Sequence, residues 1–190
     1  MVGAYFDLSG NVHGFLTDGT TFTTLDFPGS IATEPTGIND SGHIVGDYAD
    51  ASSNPHGFLY SAGVFTSIDI SGSTGTNVEG NNSAGDVVGL WKDSASNLHS
   101  LLVHSGAITS LDFPLATFTE PFGINDSGEV AGTYDDAAGV SHGFIYSDGA
   151  FSRMDVAGAA ATVLTRIKNS GAITGEFTDA LTETHGFRGH

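Results

Sequence analysis

The chain has 190 residues, with 22 Asp and Glu against 5 Lys and Arg, and no cysteine. A net charge of −17 disfavours nucleic acid and anionic membrane surfaces, which call for clustered cations, and the lack of cysteine excludes disulfides, thiol catalysis and Cys-based zinc sites. No run approaches the roughly 18 apolar residues of a membrane helix, and Met1 leads straight into strand-like sequence with no signal peptide before it.

From the N-terminus, the first motif is Gly3-x-Tyr5-x-Asp7 followed by His13-Gly14-Phe15. The His returns at His56, His99, His142 and His185, 43 residues apart each time and with no insertion. Six residues before each His stands an Asp: Asp7, Asp50, Asp93, Asp136 and Asp179. Two before each Asp stands an aromatic: Tyr5, Tyr48, Trp91, Tyr134 and Phe177. Two further series keep the same register, Asp26, Asp69, Asp112 and Asp155, and Thr33, Thr76, Thr119 and Thr162. The repeat units fall near 1–30, 31–73, 74–116, 117–159 and 160–190.

The second unit shows the internal order. A first strand is expected over Pro35–Asp40, a second over His43–Asp50, a third over His56–Ser61 and a fourth over Val64–Ile70. Turn chemistry separates them: Asn39-Asp40-Ser41-Gly42, then Ser61-Ala62-Gly63, then Ser71-Gly72-Ser73. In the second strand Ile44, Gly46, Tyr48 and Asp50 share one face, and Val45, Asp47 and Ala49 the other. No window carries a helical apolar stripe, and the 27 glycines and scattered Thr oppose helix. Four short strands per unit of about 40–45 residues is the pattern of a β-propeller blade. The fold class is therefore all-β, a propeller of four-stranded 43-residue repeats in a single domain spanning 1–190. The Gly37, Gly80, Gly123 and Arg166 strands are expected innermost, where crowding at the axis suits Gly.

Strands two and three occur five times, but strands one and four only four times, which makes 18 strands. Five blades would leave both end blades three-stranded at a seam. Four blades would use the strand near Arg166 to complete the first blade and leave 172–190 as a surplus hairpin. The good repeat match of Ala172–Asp179 and His185-Gly186-Phe187 favours five. Exposed strand edges at such a seam invite pairing between subunits.

The unit Gly-Ile-Asn-Asp-Ser-Gly-x-Ile-Val-Gly-x-Tyr, then Asp, then His-Gly-Phe, resembles the HAF family of bacterial extracellular repeat proteins. Gly37–Phe58 and Gly123–Phe144 match best; the third unit departs at Asn81, Trp91 and His99-Ser100-Leu101, and the fifth at Arg166. The resemblance implies secretion or surface exposure, and no particular reaction. More loosely, blades of this size look like those of five-bladed lectins, an analogy of fold alone.

Each Asp–His pair (Asp7 with His13, Asp50 with His56, Asp93 with His99, Asp136 with His142, Asp179 with His185) reads as a buried hydrogen bond pinning strand two to strand three. A catalytic dyad would be unique rather than repeated, and symmetry-related His diverge, so no metal and no cofactor is expected. No Gly-x-Ser-x-Gly elbow occurs. Departures from the repeat are where a single site can be built. Glu34 and Glu120 precede Pro35 and Pro121 at the entry to the inner strand, and Arg166 and Lys168 replace Gly and Asn nearest the axis. Glu79, Asn81, Trp91, Lys92 and His104 depart from the pattern in the third unit. Glu34, Glu120, Arg166, Lys168 and Trp91 are accordingly the candidate ligand-binding residues, with no catalytic set. The function expected is a non-catalytic extracellular module for carbohydrate or another small polar ligand. The alternatives are a hydrolase or lyase using axial carboxylates and a partner-docking scaffold.

Overall fold

The structure is a computed structural model that describes residues 1–189. It contains 18 strands and, among the described residues, no helix. The strands follow the repeat units, each termed a blade after its unit, and the first two units share one seven-stranded sheet. Blade I holds β1 (Val2–Phe6), β2 (Val12–Thr17) and β3 (Phe22–Thr24). Blade II holds β4 (Ala32–Ile38), β5 (Ile44–Ala49), β6 (Pro55–Ser61) and β7 (Val64–Ile68). Blade III holds β8 (Gly75–Asn81), β9 (Val87–Lys92), β10 (Leu98–His104) and β11 (Ala107–Thr109). Blade IV holds β12 (Phe118–Ile124), β13 (Val130–Asp135), β14 (Ser141–Ser147) and β15 (Ala150–Arg153), and blade V holds β16 (Ala161–Ile167), β17 (Ile173–Thr178) and β18 (Thr184–Gly189). Strands within a blade are antiparallel and adjacent in sequence order, and one parallel bridge, Val12 to Ala32, links blades I and II.

The first strand of each full blade runs three residues earlier than the hydropathy pattern suggests, beginning at Ala32 rather than Pro35. The cause is Thr33, whose buried hydroxyl accepts the amide of Phe27 and fixes the turn into the strand. Thr119 and Thr162 do the same for Phe113 and Val156. At the other end the strand stops at Ile38, because the Asn39 carboxamide oxygen accepts the Ser41 and His43 amides and closes the turn.

β4, β8, β12 and β16 are innermost. Each carries a bulge at the residue before the axial position, namely Thr36, Glu79, Phe122 and Thr165. At Glu79 and Phe122 the bulge turns the carbonyl toward the preceding inner strand. A Cβ on Gly80 would lie 2.9 Å from the Phe122 carbonyl oxygen and 3.2 Å from Gly123 Cα, so only Gly fits there. An asparagine ladder runs alongside. Asn39 Nδ2 donates to the Asn82 carbonyl at 2.8 Å, Asn82 to Asn125 at 3.1 Å, and Asn125 to Lys168 at 3.3 Å.

Apolar packing lies between successive blades. Val45, Val78 and Val87 fill the space between blades II and III; Ala131, Leu164 and Ile173 fill that between IV and V. Thin blades therefore bury one another, as in other repeat architectures. The aromatic set Phe27, Tyr48, Phe58 and Phe65 recurs 86 residues on as Phe113, Tyr134, Phe144 and Phe151. In both sets a Phe stacks flat on a Tyr at 3.7 Å.

The two end blades differ from the rest. β1 pairs with β2 alone, and β18 pairs with β17 alone. Thr184, His185 and Gly186 are exposed, whereas of their counterparts Ser141 is half-buried and His142 and Gly143 are buried. A Cβ on Gly143 would run into the Met154 carbonyl and lie 2.8 Å from Leu164 Cγ, while one on Gly186 would meet nothing within 4 Å. Gly143→Ala is therefore expected to cost about 1–3 kcal/mol through overpacking, and Gly186→Ala to stay within about 0.5 kcal/mol of the parent. Urea midpoints of the two variants decide; equal midpoints would mean that the blade interface can relax around the added methyl.

Candidate functional site

The inner strands and the turns that follow them surround a cavity of about 620 Å³ at one end of the axis. All four contribute to its wall, with Met1 and Val2 of blade I filling the remaining side. The turn asparagines Asn39 and Asn82 line it, but their amides are committed to the ladder and their carboxamide oxygens to the turns. Asp126 accepts the Ser83 amide, which holds its carboxyl below the usual carboxylate range. Asn169 donates to Asp126 at 2.8 Å and to Asp40 at 3.5 Å, tying blade V to blade II across the opening.

Two groups there depart from the repeat. Arg166 Nη2 donates to the Thr36 carbonyl at 2.7 Å, so its guanidinium spans the opening rather than standing free. Asn81 occupies the position held elsewhere by Ile38, Ile124 and Ile167. Its amide donates to the His43 carbonyl at 3.2 Å, and its buried carboxamide oxygen has no hydrogen-bond partner in the chain. A buried acceptor without a donor is costly and uncommon. Sequence reasoning had marked Asn81 as off-pattern without assigning it to the site; the register places it there.

The structure brings Arg166 and Lys168 to this cavity and leaves the other three sequence candidates outside it. Glu34 and Glu120 sit in the first halves of β4 and β12, while the cavity wall is built from the second halves and the turns. A strand rises about 3.3 Å per residue, so the few residues between Glu34 and Asn39 carry it well away. Trp91 lies on β9, the second strand of its blade, stacked on His99 at 4.5 Å, so it cannot reach the axis.

Glu34 and Glu120 belong instead to an acidic group on the inner strands. Burial pushes the Asp47 carboxyl up to about 7, with Glu79 and Glu34 adding to the rise, although it accepts the Val78 amide at 2.7 Å and the Asn77 side chain at 3.0 Å. Burial raises Glu79 too, partly offset by the Arg166 guanidinium, and raises Glu120 with help from Glu79 and Asp135.

The Asp–His pairs form in all five units, with Asp Oδ2 to His Nε2 distances of 3.5, 3.6, 3.2, 3.3 and 3.1 Å in chain order. Two corrections apply. Only His142 is buried; the other four stand at blade edges where solvent reaches them. The shorter bond in blades I and II is made by Nδ1 to the Asp 13 residues on, His13 to Asp26 at 2.8 Å and His56 to Asp69 at 2.7 Å. His142 likewise bridges Asp136 and Asp155. The period showed both Asp series, but only folding of strand four onto strand three reveals that one imidazole lies between them. The Asp26 and Asp69 carboxylates raise the His13 and His56 imidazolium pKa. The upstream Asp mainly caps its own hairpin. The Asn11 side chain and amide hold Asp7 at about 2, and Asn54 does the same for Asp50. In blade V that Asn is replaced by Glu183, and one ligand atom each from Asp179, Glu183 and His185 lies within 4.8 Å of the others, an exposed group that has the donor set for a divalent metal.

No protein-family model and no curated protein sequence matches the chain. Among solved structures, TolB from Acinetobacter baumannii superposes with a TM-score of 0.70 at 14% identity, covering 98% of this chain and 49% of TolB. The fold is a β-propeller. The Aleuria aurantia lectin, a fungal six-bladed propeller with its own fucose recognition mode, superposes at a TM-score of 0.55 and 11% identity over 98% of this chain and 69% of the lectin. A form of that lectin with α-methyl-L-fucoside superposes at 0.55 and 12% over 97% and 68%. The chain thus spans about half of TolB and about two thirds of the lectin. At these identities the likeness is one of fold.

Two outcomes test this account. His142→Ala removes a buried ring and its bonds to Asp136 and Asp155 and is expected to cost about 1–3 kcal/mol; His185→Ala, exposed and bonded to Asp179 alone, should cost less than about 0.5 kcal/mol. Asp47 binds its proton more tightly folded than unfolded, so its favourable contribution is complete below pH 3.8 and is lost as pH rises through about 7. The urea midpoint of the parent is therefore expected to fall between pH 5 and pH 8, and Asp47→Asn to flatten that fall. An unchanged pH slope would show that Asp47 is ionised in the fold.

Proposed function

We propose that the chain is a non-catalytic binding module that takes a hydroxyl-rich ligand, most simply a carbohydrate, one per molecule, in the axial cavity. The observation that carries this reading is the unpartnered carboxamide oxygen of Asn81 in the wall of a roughly 620 Å³ opening. That oxygen is closed to solvent in the free chain, so a sugar hydroxyl donates to it once the Asn81 side chain turns toward the opening it lines, and Lys168 and Asp40, which line the same opening, offer a donor and an acceptor to neighbouring hydroxyls. The fold likeness to fucose-binding lectins supports a sugar ligand, and the HAF resemblance of the repeat supports an extracellular setting.

A hydrolase reading draws on the Asp47 and Glu79 carboxyls, both raised by burial, since a carboxyl whose pKa is raised is the kind of group acid catalysis uses. Asp47, however, spends both oxygens on Val78 and Asn77 of the next blade, a role in blade cohesion.

A glycan array run with a hydrolysis screen separates the two. On the ligand found, Asn81→Ile, which restores the residue of the other units, is expected to weaken binding at least tenfold while the urea midpoint holds, and Lys168→Ala to weaken it severalfold. Binding unaltered by both, or a stoichiometry of several ligands per chain, would overturn the axial site. Product release abolished by Glu79→Gln would establish the enzyme instead.

A further inference from the structure

The axial opening gathers cations in a chain that has few. Arg166 and Lys168, two of the five Lys and Arg set against 22 carboxylates, both line it. They stand two residues apart where β16 runs into its turn, a spacing that puts side chains on one face of an extended chain. The other inner strands carry Gly37, Gly80 and Gly123 at the first position and Asn39, Asn82 and Asn125 at the second. With so many carboxylates available, both cations would be expected in ion pairs. Among the described residues, however, the one ion pair of a Lys or Arg is that of Arg153 with Asp155. Arg166 gives an N–H to the Thr36 carbonyl and keeps the rest of its fork free. Lys168 enters the hydrogen bonding through its backbone alone, its carbonyl taking Asn125 and its amide donating to Ala172.

The acceptors around the opening are fewer. Asp126 gives one oxygen to the Ser83 amide and the other to Asn169. Asp40 meets Asn169 at 3.5 Å, and the Asn81 carboxamide oxygen has no partner. A ligand that answers both sets needs hydroxyls to donate and an ionised oxygen to accept. Hydrogen bonds to an ionised acceptor are roughly twice as strong as neutral ones, and a carboxylate matches the guanidinium fork with two parallel bonds. Taking the carbohydrate reading of this site as its basis, we propose that the ligand is an acidic sugar, a hexuronate. Its carboxylate bridges Arg166 and Lys168, and its hydroxyls donate to Asp40 and to the turned Asn81.

Charge sets the class of acid. Asp40 and Asp126 already offset the two cations in the wall, so the site suits one added negative charge better than the nearly two of a sugar phosphate. The net charge of −17 does not forbid this. The hairpin Asp residues stand at the far end of the second strands, roughly 20 Å away for a strand of 6 residues such as β5. The Debye length at physiological salt is about 8 Å, so those carboxylates are screened and the local cations govern the approach.

The probes are D-galacturonate and D-glucuronate, their methyl esters and the parent hexoses, each titrated into the full chain and followed by amide chemical shifts, beside a glycan array. The expected result is one uronate per chain, with shifts at Asn81 and Lys168 and an affinity about tenfold or more above that of the methyl ester, which keeps the hydroxyls and loses the charge. Lys168→Asn and Arg166→Gly each restore the repeat residue and should each remove most of that preference, while Lys168→Arg retains it; urea midpoints report whether each variant is folded. Ester and uronate bound alike, with Asn81→Ile weakening both, would overturn the acidic class and leave the carbohydrate reading standing, as would an array whose hits are neutral sugars. A preference for uronate that survives both Lys168→Asn and Arg166→Gly would overturn the assignment of the carboxylate. An array without hits, together with no shift on adding uronate, would overturn the carbohydrate reading and this inference with it.

Discussion

The close approach of inner strands at the axis is the constraint on which the rest of this structure depends. Backbone meets backbone there, Gly80 against Phe122 and Gly123, and no side chain can intervene until Arg166. The strands come so near where the bulge at Glu79 or Phe122 swings one carbonyl toward its neighbour. The asparagine ladder then ties successive turns at a fixed separation of 43 residues. An insertion in the inner strand or its turn would break both arrangements at once, which accounts for the strict register of the sequence.

A chain with so large an excess of carboxylates must place them where they are solvated or satisfied. Most of the repeat Asp residues meet that demand at hairpin ends, where backbone amides and an Asn side chain hold Asp7 and Asp50 near 2. Such groups are fully exposed charges and act through local turn geometry rather than through long-range attraction. The His of each unit shares the carboxylates between strands, and its aromatic neighbour two residues before the Asp, such as Tyr48 over His56 at 5.0 Å, covers the ring. Asp47 is the exception. It reaches out of blade II to the backbone of blade III, and burial pushes its carboxyl up to about 7.

Function is assigned to departures from the repeat because shared positions are consumed by cohesion. Asn39, Asn82 and Asn125 line or border the opening, but their hydrogen-bonding groups are used up between blades. Asn81 replaces an apolar residue and keeps one acceptor unused. Arg166 replaces a Gly and crosses the seam. The first departure carries the proposed ligand site, and the second ties blade V to blade II.

The amino-acid sequence by itself determined the 43-residue unit, the 18 strands, the inner placement of the Gly37, Gly80 and Gly123 strands, and the pairing of each Asp with the His six residues on, because each of these follows from local pattern and turn chemistry. Only the tertiary structure decided which groups meet across blades. Glu34 and Glu120 lie within the first halves of the inner strands rather than before them, and outside the cavity, since a few residues of extended chain separate them from the turns that form its wall. Trp91 is held over His99 by its blade, and the second Asp on His13 and His56 comes from strand four, 13 residues away. The bare face of Gly186 is invisible in a motif, His-Gly-Phe, identical to those of covered blades. Burial there depends on the neighbouring blade, and a repeat records the blade but not its neighbour.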